Sequence, residues 1–314
     1  MTTDRHVVSL SGGKDSVAAC LHLRELGIEH ERIFMDTGWE HPDLYRHLDY
    51  LEGILGPIIR LDGLIPVAPA WAAEAAELEG MLGHPSAFVR LCLSRGMFPT
   101  RKIRMCTQEL KVWPFLEWAE KQGDIVNIVG IRNDESLARS KLPEREPMPG
   151  PKAGTIIDGI EVWRPLVKWT VADVVAIHAR HNVLPCPLYL KGASRVGCWP
   201  CFQVVKKELR LLALDTTRVD ILRLLEKYVG RRSVELEHTH LDPTMFQSKD
   251  DPRRVVDGVR QKAPPGSFEC WPIDKVLQWA KTTHGGRQFD LFAASPTDAG
   301  CMKWGMCDVA GDSE

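Results

Sequence analysis

Six consecutive residues near the N-terminus, Ser11-Gly12-Gly13-Lys14-Asp15-Ser16, constrain this chain more than any other stretch. They follow the apolar run Val7-Val8-Ser9-Leu10, which reads as a buried parallel strand. They precede Val17 to Leu26, which reads as a helix with an apolar stripe at Val17, Cys20, Leu21 and Leu23. A strand, a glycine loop and a helix in that order present backbone N–H groups and the positive end of a helix dipole to a phosphate. The glycine pair permits a tight turn and the close approach of an anion. Lys14 adds a mobile charge, and Ser11 and Ser16 add hydroxyl donors. An ordinary turn before a helix has no reason to set a lysine, an aspartate and two serines around two glycines. The spacing is neither a Walker A loop nor a dinucleotide-binding G-x-G-x-x-G.

Beyond the loop, strand and helix patterns alternate. Arg32 to Asp36 reads as a second strand, Asp43 to Leu55 as a helix, Ile58 to Leu61 as a short strand, and Asp124 to Ile131 as a core strand. This pattern predicts an α/β fold with a doubly wound, mainly parallel sheet. Two helices, Ala70 to Leu82 and Ala87 to Arg95, are expected between them, and Thr170 to Asp173 fits a capping box opening a helix to Arg180. The proline-rich stretch from Ser140 to Ala153 is expected to be a loop or lid. At 314 residues the chain exceeds one compact core, so residues 1–202 are expected to form the nucleotide-binding domain and 203–314 a mainly helical extension. A formal net charge of −2 advertises no global attraction to nucleic acid, so any such surface must be local. The N-terminus lacks a signal-peptide core and no apolar run reaches membrane-spanning length, so a cytoplasmic protein without a membrane partner is expected.

Several residues stand where a crevice is expected. Asp36, at the C-terminal end of the second strand, is placed to accept a hydrogen bond from a nucleoside, although a turn aspartate before Gly38 would look the same. Gly130 permits close backbone approach at the end of its strand, and Arg132 and Arg139 can grip phosphate or sulfate. Arg101, Lys102, Arg104 and Lys111 make the stretch around Cys106 basic, and Thr107 is expected to cap the following helix, whose dipole would favour thiolate at Cys106. Nine cysteines in a reducing compartment are metal ligands, reactive thiols or core filler rather than disulfides. Cys20 and Cys92 read as core filler. Cys198 and Cys201 have the C-x-x-C spacing used by zinc, iron–sulfur clusters and dithiol redox pairs alike. Basic residues of the C-terminal third, Lys206, Lys207, Arg210, Arg218, Arg223 and Lys227, read more simply as solvated helix faces than as a phosphate groove.

The glycine loop matches the S-G-G-K-D-S signature of the PP-loop ATP pyrophosphatases, and Asp36 to Pro42 resembles the D-T-G-x-E-x-P phrase of their PAPS reductase branch. Gly130 to Arg139 resembles G-x-R-x-x-E-S-x-x-R, Arg104 to Lys111 resembles R-x-C-T-x-x-L-K, and Arg195 to Cys201 resembles R-x-G-C-x-x-C. Together these phrases cover roughly Val7 to Phe202. The resemblance implies an adenine nucleotide, ATP or APS/PAPS, held by Ser11, Gly12, Gly13, Lys14, Asp15, Ser16, Asp36, Gly130, Arg132 and Arg139, with Lys14, Asp15 and Arg132 acting in catalysis and Mg2+ accompanying ATP. It further implies a 4Fe-4S cluster on Cys106, Cys198 and Cys201, with Cys186, Cys301, Cys307 or no residue as the fourth ligand. The leading expectation is an adenylating sulfurtransferase with a nucleic-acid acceptor, supplied with sulfur by a cysteine desulfurase or served by a thiol reductant. APS/PAPS reduction, the small subunit of ATP sulfurylase, and a non-catalytic nucleotide- or redox-sensing module are the alternatives. Reductases of sulfate assimilation carry a paired C-C where this chain has Met105-Cys106, and their E-C-G-L-H tail is absent here.

Overall fold

A computed structural model describes residues 5–238 apart from 64, 101, 102, 136, 138 and 151–153, together with 244–246, 254–256, 259–261 and 271–282. Cys301, Cys307, Arg101 and Lys102 lie outside the described residues. The N-terminal part alternates β1 (Arg5–Ser9), α1 (Lys14–Glu25), β2 (Glu31–Asp36), α2 (Pro42–Leu55) and β3 (Ile58–Asp62). Two helices come next, α3 (Ala72–Leu82) and α4 (Ala87–Arg95). After them stand a single turn α5 (Met105–Thr107), a π-helical turn at Gln108–Val112, α6 (Trp113–Ala119) and β4 (Ile125–Ile128). Then come β5 (Arg145–Pro149), β6 (Ile156–Trp163), α7 (Val171–Arg180), α8 (Pro187–Leu190), α9 (Lys206–Leu212) and α10 (Thr216–Glu235). The hairpin β7 (Arg254–Val256) and β8 (Val259–Gln261) and the helix α11 (Ile273–Lys281) complete the described elements.

Six strands form one sheet in the order β3-β2-β1-β4-β6-β5, parallel throughout except at β5. The chain runs outward from β1 through β2 to β3, then returns to β4 on the other side of β1. The C-terminal ends of β1 and β4 therefore flank the point where the winding reverses, which is where open α/β sheets bind ligands. The middles of the central strands β1, β2 and β4 are buried on both faces, as their apolar runs require. Val8 and Phe34 pack with α1, α2 and α7, while their neighbours Val7 and Ile33 pack with Phe115 and Ala119 on the opposite face.

Two local expectations are corrected. The stretch expected to be a proline-rich lid contains β5, an antiparallel edge strand carrying Pro147 and Pro149. An edge strand tolerates proline because a missing N–H on its outer side breaks no ladder bond. Thr107 does not cap a helix: it is itself helical, at φ −71°, ψ −44°, and its side chain makes no capping bond. The capping box at Thr170–Asp173 is present and opens α7.

Helices α9, α10 and α11 share one hydrophobic cluster with α3 and α4, through Leu209, Leu222, Leu225 and Val276 against Leu78, Val89 and Leu93. Trp39 and Trp199, from the loops beyond β2 and α8, are buried in the same cluster. Among the described residues, no helix is long and apolar enough to cross a membrane.

Candidate functional site

The glycine loop sits at the tip of β1 and closes on itself. Gly12 takes φ +70°, and a Cβ there would lie 2.5 Å from Leu44 Cδ1. Both serines hydrogen-bond within the loop. Ser16 Oγ donates to the Gly13 carbonyl at 3.0 Å and accepts from the Ser11 amide at 3.1 Å, and Ser11 Oγ accepts from the Gly13 amide at 3.3 Å. Ser16 is buried accordingly. The Lys14 amide, the first of α1, donates to the Tyr189 hydroxyl at 3.2 Å.

Gly130, beyond β4, packs directly on this loop. A Cβ there would lie 2.5 Å from the Asp15 carbonyl oxygen and 2.7 Å from the Ser16 nitrogen. The close approach that its sequence position permits is thus made to the first turn of α1. Two residues on, Arg132 turns back into the same place. Its Nε donates to Asp15 Oδ1 at 2.6 Å and its Nη1 to Asp134 Oδ2 at 2.6 Å, and it is only 3% exposed. Burial alone would lower its pKa, but the carboxylates of Asp15 and Asp134 more than offset that and raise it. The other Asp15 oxygen accepts from Lys14 Nζ at 2.6 Å. Arg139 pairs with Glu135. Lys14, Asp15 and the sequence-distant Arg132 therefore form one continuous ion-paired row across the β1/β4 crevice.

This row floors a cavity of about 890 Å³, lined by Ser11, Gly13, Lys14, Asp15, Ser16, Gly130, Arg132 and Arg139 among others. The volume lies within the range of small-molecule sites. Tyr189, Arg104, Arg195, Gln203 and Lys207 also line it, and the sequence reading assigns none of them to the site. For Arg104 and Arg195 a signal was available, because they open the R-x-C-T-x-x-L-K and R-x-G-C-x-x-C phrases. A second cavity of about 480 Å³ lies at the other end of the strands, bordered by Asp124, Asp158 and Glu161, without a cationic side chain.

Asp36 does not line the large cavity. Its Oδ1 accepts from the Gly38 amide at 2.8 Å and from the Tyr45 hydroxyl at 2.7 Å. The structure thus places Asp36 in the turn that shapes the segment from Thr37 to Glu40. That segment leads to the cysteines: Glu40 bridges to Cys198 in the backbone, and Cys198 Sγ lies 3.9 Å from both Glu40 Oε1 and Thr37 Oγ1.

Cys106, Cys198 and Cys201 lie within electrostatic reach of one another and of Lys111. The Cys198 thiol is pushed up to about 12 by burial, against the pull of Lys111. Burial also raises Cys106, which outweighs the helix dipole expected to favour thiolate there. Glu40 is raised by burial as well. The Lys111 ammonium is held above its ordinary range, by Cys198 first, then against burial by Glu40, Cys106 and Cys201. Cys186 is not part of this group. It is 1% exposed in the core beside Leu188 and Tyr189, and its charged neighbours are Asp43 and Lys191; burial pushes its thiol up to about 11. Cys186, one of the candidates for the fourth ligand, is placed instead in the core under α2 by the start of α8. Cys92 is fully buried, as expected of core filler.

Among the described residues, no three His, Cys, Asp or Glu side chains converge on one ion-sized point. Three thiols are the donor type that zinc and iron–sulfur groups both take. The donor set fits such a group in chemical type: thiolates bearing net negative charge would balance the half-buried Lys111. Magnesium is different. Both Asp15 oxygens already serve Lys14 and Arg132, so the loop presents no unengaged carboxylate to hold that ion.

Comparison with known proteins matches this arrangement to a family. Residues 5–204 match the model of the phosphoadenosine phosphosulfate reductase domain. An uncharacterized 37.8 kDa protein of Escherichia phage 186 is 33% identical over 338 aligned positions, covering 96% of each chain. The adenosine 5′-phosphosulfate reductase of Deinococcus radiodurans is 28% identical over 182 positions, covering 58% of this chain and 60% of that protein. Thus the chain spans only about three fifths of such reductases. A phosphoadenylyl-sulfate reductase structure from Candida auris aligns over 63% of this chain and 83% of its own, at 18% identity and a TM-score of 0.44. With the family model covering all six strands of the sheet, the glycine loop and the Cys198/Cys201 pair, the chain belongs to the phosphoadenosine phosphosulfate reductase domain family.

Proposed function

We propose that the protein is an adenylating sulfur-transfer enzyme: it binds ATP in the β1/β4 crevice, transfers the adenylyl group to an oxygen of a nucleic-acid acceptor, and opens that position to sulfur. The observation carrying this reading is the 890 Å³ cavity that joins the glycine loop to an outer cationic wall. Its lining holds six cationic side chains, Lys14, Arg104, Arg132, Arg139, Arg195 and Lys207, against the two carboxylates Asp15 and Glu135. The inner cations Lys14 and Arg132 are already balanced by Asp15, and Arg132 also by Asp134. Arg104 and Arg195 are exposed and pair with no carboxylate among the described residues, so the outer wall carries the surplus charge that suits a second, phosphate-rich molecule.

In this reading the α1 amides and the glycine loop hold the β- and γ-phosphates of ATP. Arg132 and Lys14 stabilise the charge that grows on the α-phosphoryl oxygens as the acceptor oxygen attacks and pyrophosphate leaves. Fixing Arg132 between two carboxylates means it reorganises little during the step. Cys106, Cys198 and Cys201 would hold an iron–sulfur group that supplies or activates the sulfur. A cysteine desulfurase or a thiol reductant would restore it.

Anaerobic protein with sulfide as sulfur donor is given ATP labelled at the α- and γ-phosphates, with DNA, with RNA and with neither. Pyrophosphate and AMP that appear only with a nucleic acid support the proposal. A second reading, reduction of APS or PAPS, is favoured by the adenosine 5′-phosphosulfate reductases among the relatives. Sulfite formed from either sulfonucleotide with a thiol donor, and no turnover of ATP, would replace the first reading by the second.

A further inference from the structure

Arg218 lies in the first turn of α10, beyond the segment that matches the family model. It is 4% exposed, which for a guanidinium is rare unless it is paired. No carboxylate lies within ion-pair distance among the described residues. Its Nη2 donates to the Glu40 backbone carbonyl at 3.2 Å, its guanidinium carbon stands 4.5 Å over the Trp39 ring, and its Nη1 is buried with no hydrogen-bond partner. The residue it touches, Glu40, is the one bridged to Cys198.

The surroundings hold this arrangement in place from several sides. Asp215 caps α10 by accepting from the Arg218 amide at 3.0 Å, and also accepts from Trp199 Nε1 at 3.2 Å. Trp199 directly follows Cys198, and its amide donates to the Trp39 carbonyl at 2.8 Å. Trp39 Nε1 donates to the Pro200 carbonyl at 3.0 Å. The helix thus clamps the Thr37–Glu40 turn and the Cys198–Cys201 loop against each other and brings a positive charge to their junction. Lys111 is already there. Arg218 and the half-buried Lys111 stand beside Glu40, whose carboxyl burial favours in its neutral form, while Asp215, the other carboxylate in reach of Arg218, is engaged by the α10 amide and Trp199. A desolvated, unpaired guanidinium costs several kcal/mol and is kept where an anion offsets it. The negative charge that the three cysteines would carry when they bind a thiolate-ligated group would lie on this side of the guanidinium, whose Nη1 is without a partner.

We propose that Arg218 is a positioning residue of the cysteine site, whose charge, delivered from the C-terminal helix, stabilises the negative charge of a thiolate-ligated iron–sulfur group on Cys106, Cys198 and Cys201. This rests on the reading that those cysteines hold such a group. It assigns the C-terminal helix a part in the sulfur chemistry, which a solvated helix face would not have.

The test uses the full chain, reconstituted anaerobically with ferrous iron and sulfide, in wild type and in Arg218→Met, Arg218→Gln and Arg218→Lys. Each is titrated by its visible absorption against dithionite, which donates the electron. Removing a positive charge beside the group disfavours its more negative, reduced form. Arg218→Met is expected to shift the one-electron reduction equilibrium at least tenfold toward the oxidised form, equivalent to about 59 mV. Arg218→Lys is expected to recover most of that shift, and Arg218→Gln serves if the methionine variant does not fold. Melting temperatures recorded alongside separate the charge from the clamp, because a purely structural role lowers stability without moving the equilibrium. Unchanged equilibria in the uncharged variants, or equal shifts in the lysine and methionine variants, overturn the proposal. If the wild type forms no chromophore, the reading of the cysteines fails first and the role of Arg218 falls with it.

Discussion

Gly130→Ala puts one methyl group where the two halves of the crevice meet. The added Cβ would stand 2.5 Å from the Asp15 carbonyl oxygen, 2.6 Å from its carbon and 2.7 Å from the Ser16 nitrogen. Ordinary contact begins at 3.4 Å, so the atoms are roughly 0.9 Å too close. Every clashing atom belongs to the backbone of the first turn of α1, so no side chain can swing aside. Overpacking of this kind costs about 1–3 kcal/mol, and the upper half of that range is expected here. The displaced turn carries the amides that would meet the phosphates. A shift of about 1 Å in a positioning element lowers turnover on the order of 10²-fold, and nucleotide affinity is expected to fall at least tenfold. Calorimetric titration with ATP and with APS, and thermal melting, measure the two effects. Gly53→Ala is the control: that glycine lies within α2 with nothing inside 4 Å of its would-be Cβ, and alanine there is expected to stabilise by about 0.5–1 kcal/mol. Wild-type melting and wild-type affinity in Gly130→Ala would refute the claim that the two backbones are in contact at the nucleotide site.

Other expectations rest on the same geometry. Arg132→Met leaves Asp15 with Lys14 alone and Asp134 without its partner, so a loss of about 1–3 kcal/mol in urea-unfolding stability and a nucleotide affinity reduced at least a hundredfold are expected. Cys198→Ala is expected to abolish iron incorporation, whereas Cys186→Ala should keep the wild-type iron content while lowering the melting temperature, because that thiol belongs to the core under α2. Glu226, which accepts from the Thr244 hydroxyl and the Ile273 amide, is pushed up to about 7 by burial. The folded state therefore binds a proton that the unfolded chain releases near pH 4.5. Its stabilising contribution is complete below that pH and is lost as pH rises through 7, by up to about 3 kcal/mol. Urea melts at pH 5 and pH 8 in wild type and Glu226→Gln should show this pH dependence in the first and not the second.

The legible parts of the site are those written contiguously. The glycine loop, the strand before it and the helix after it arise from one run of residues, because local backbone geometry is set by neighbours in the chain. The alternation of strands and helices dictates the parallel sheet in the same way. The stretch from Ser140 to Ala153 misleads because proline frequency signals a break only where both sides of a strand are paired, and β5 is paired on one side alone.

What folding alone decided is which distant residues meet. Arg132 reaches Asp15 across 117 positions, the Tyr189 hydroxyl reaches the Lys14 amide across 175, and Arg218 reaches Glu40 across 178. Such contacts leave no periodicity or spacing to read, since side chains brought together by sheet order and helix packing need share no local pattern. The candidate cysteine ligands within the described residues show the limit most plainly. Closeness in sequence groups Cys186 with Cys198 and Cys201, yet the start of α8 buries it under α2, while Cys106, far upstream of that pair, arrives beside Lys111. Sequence determined which chemical groups the protein carries and where its phosphate loop must form; the packing of the sheet and of α10 determined which of them act on one another.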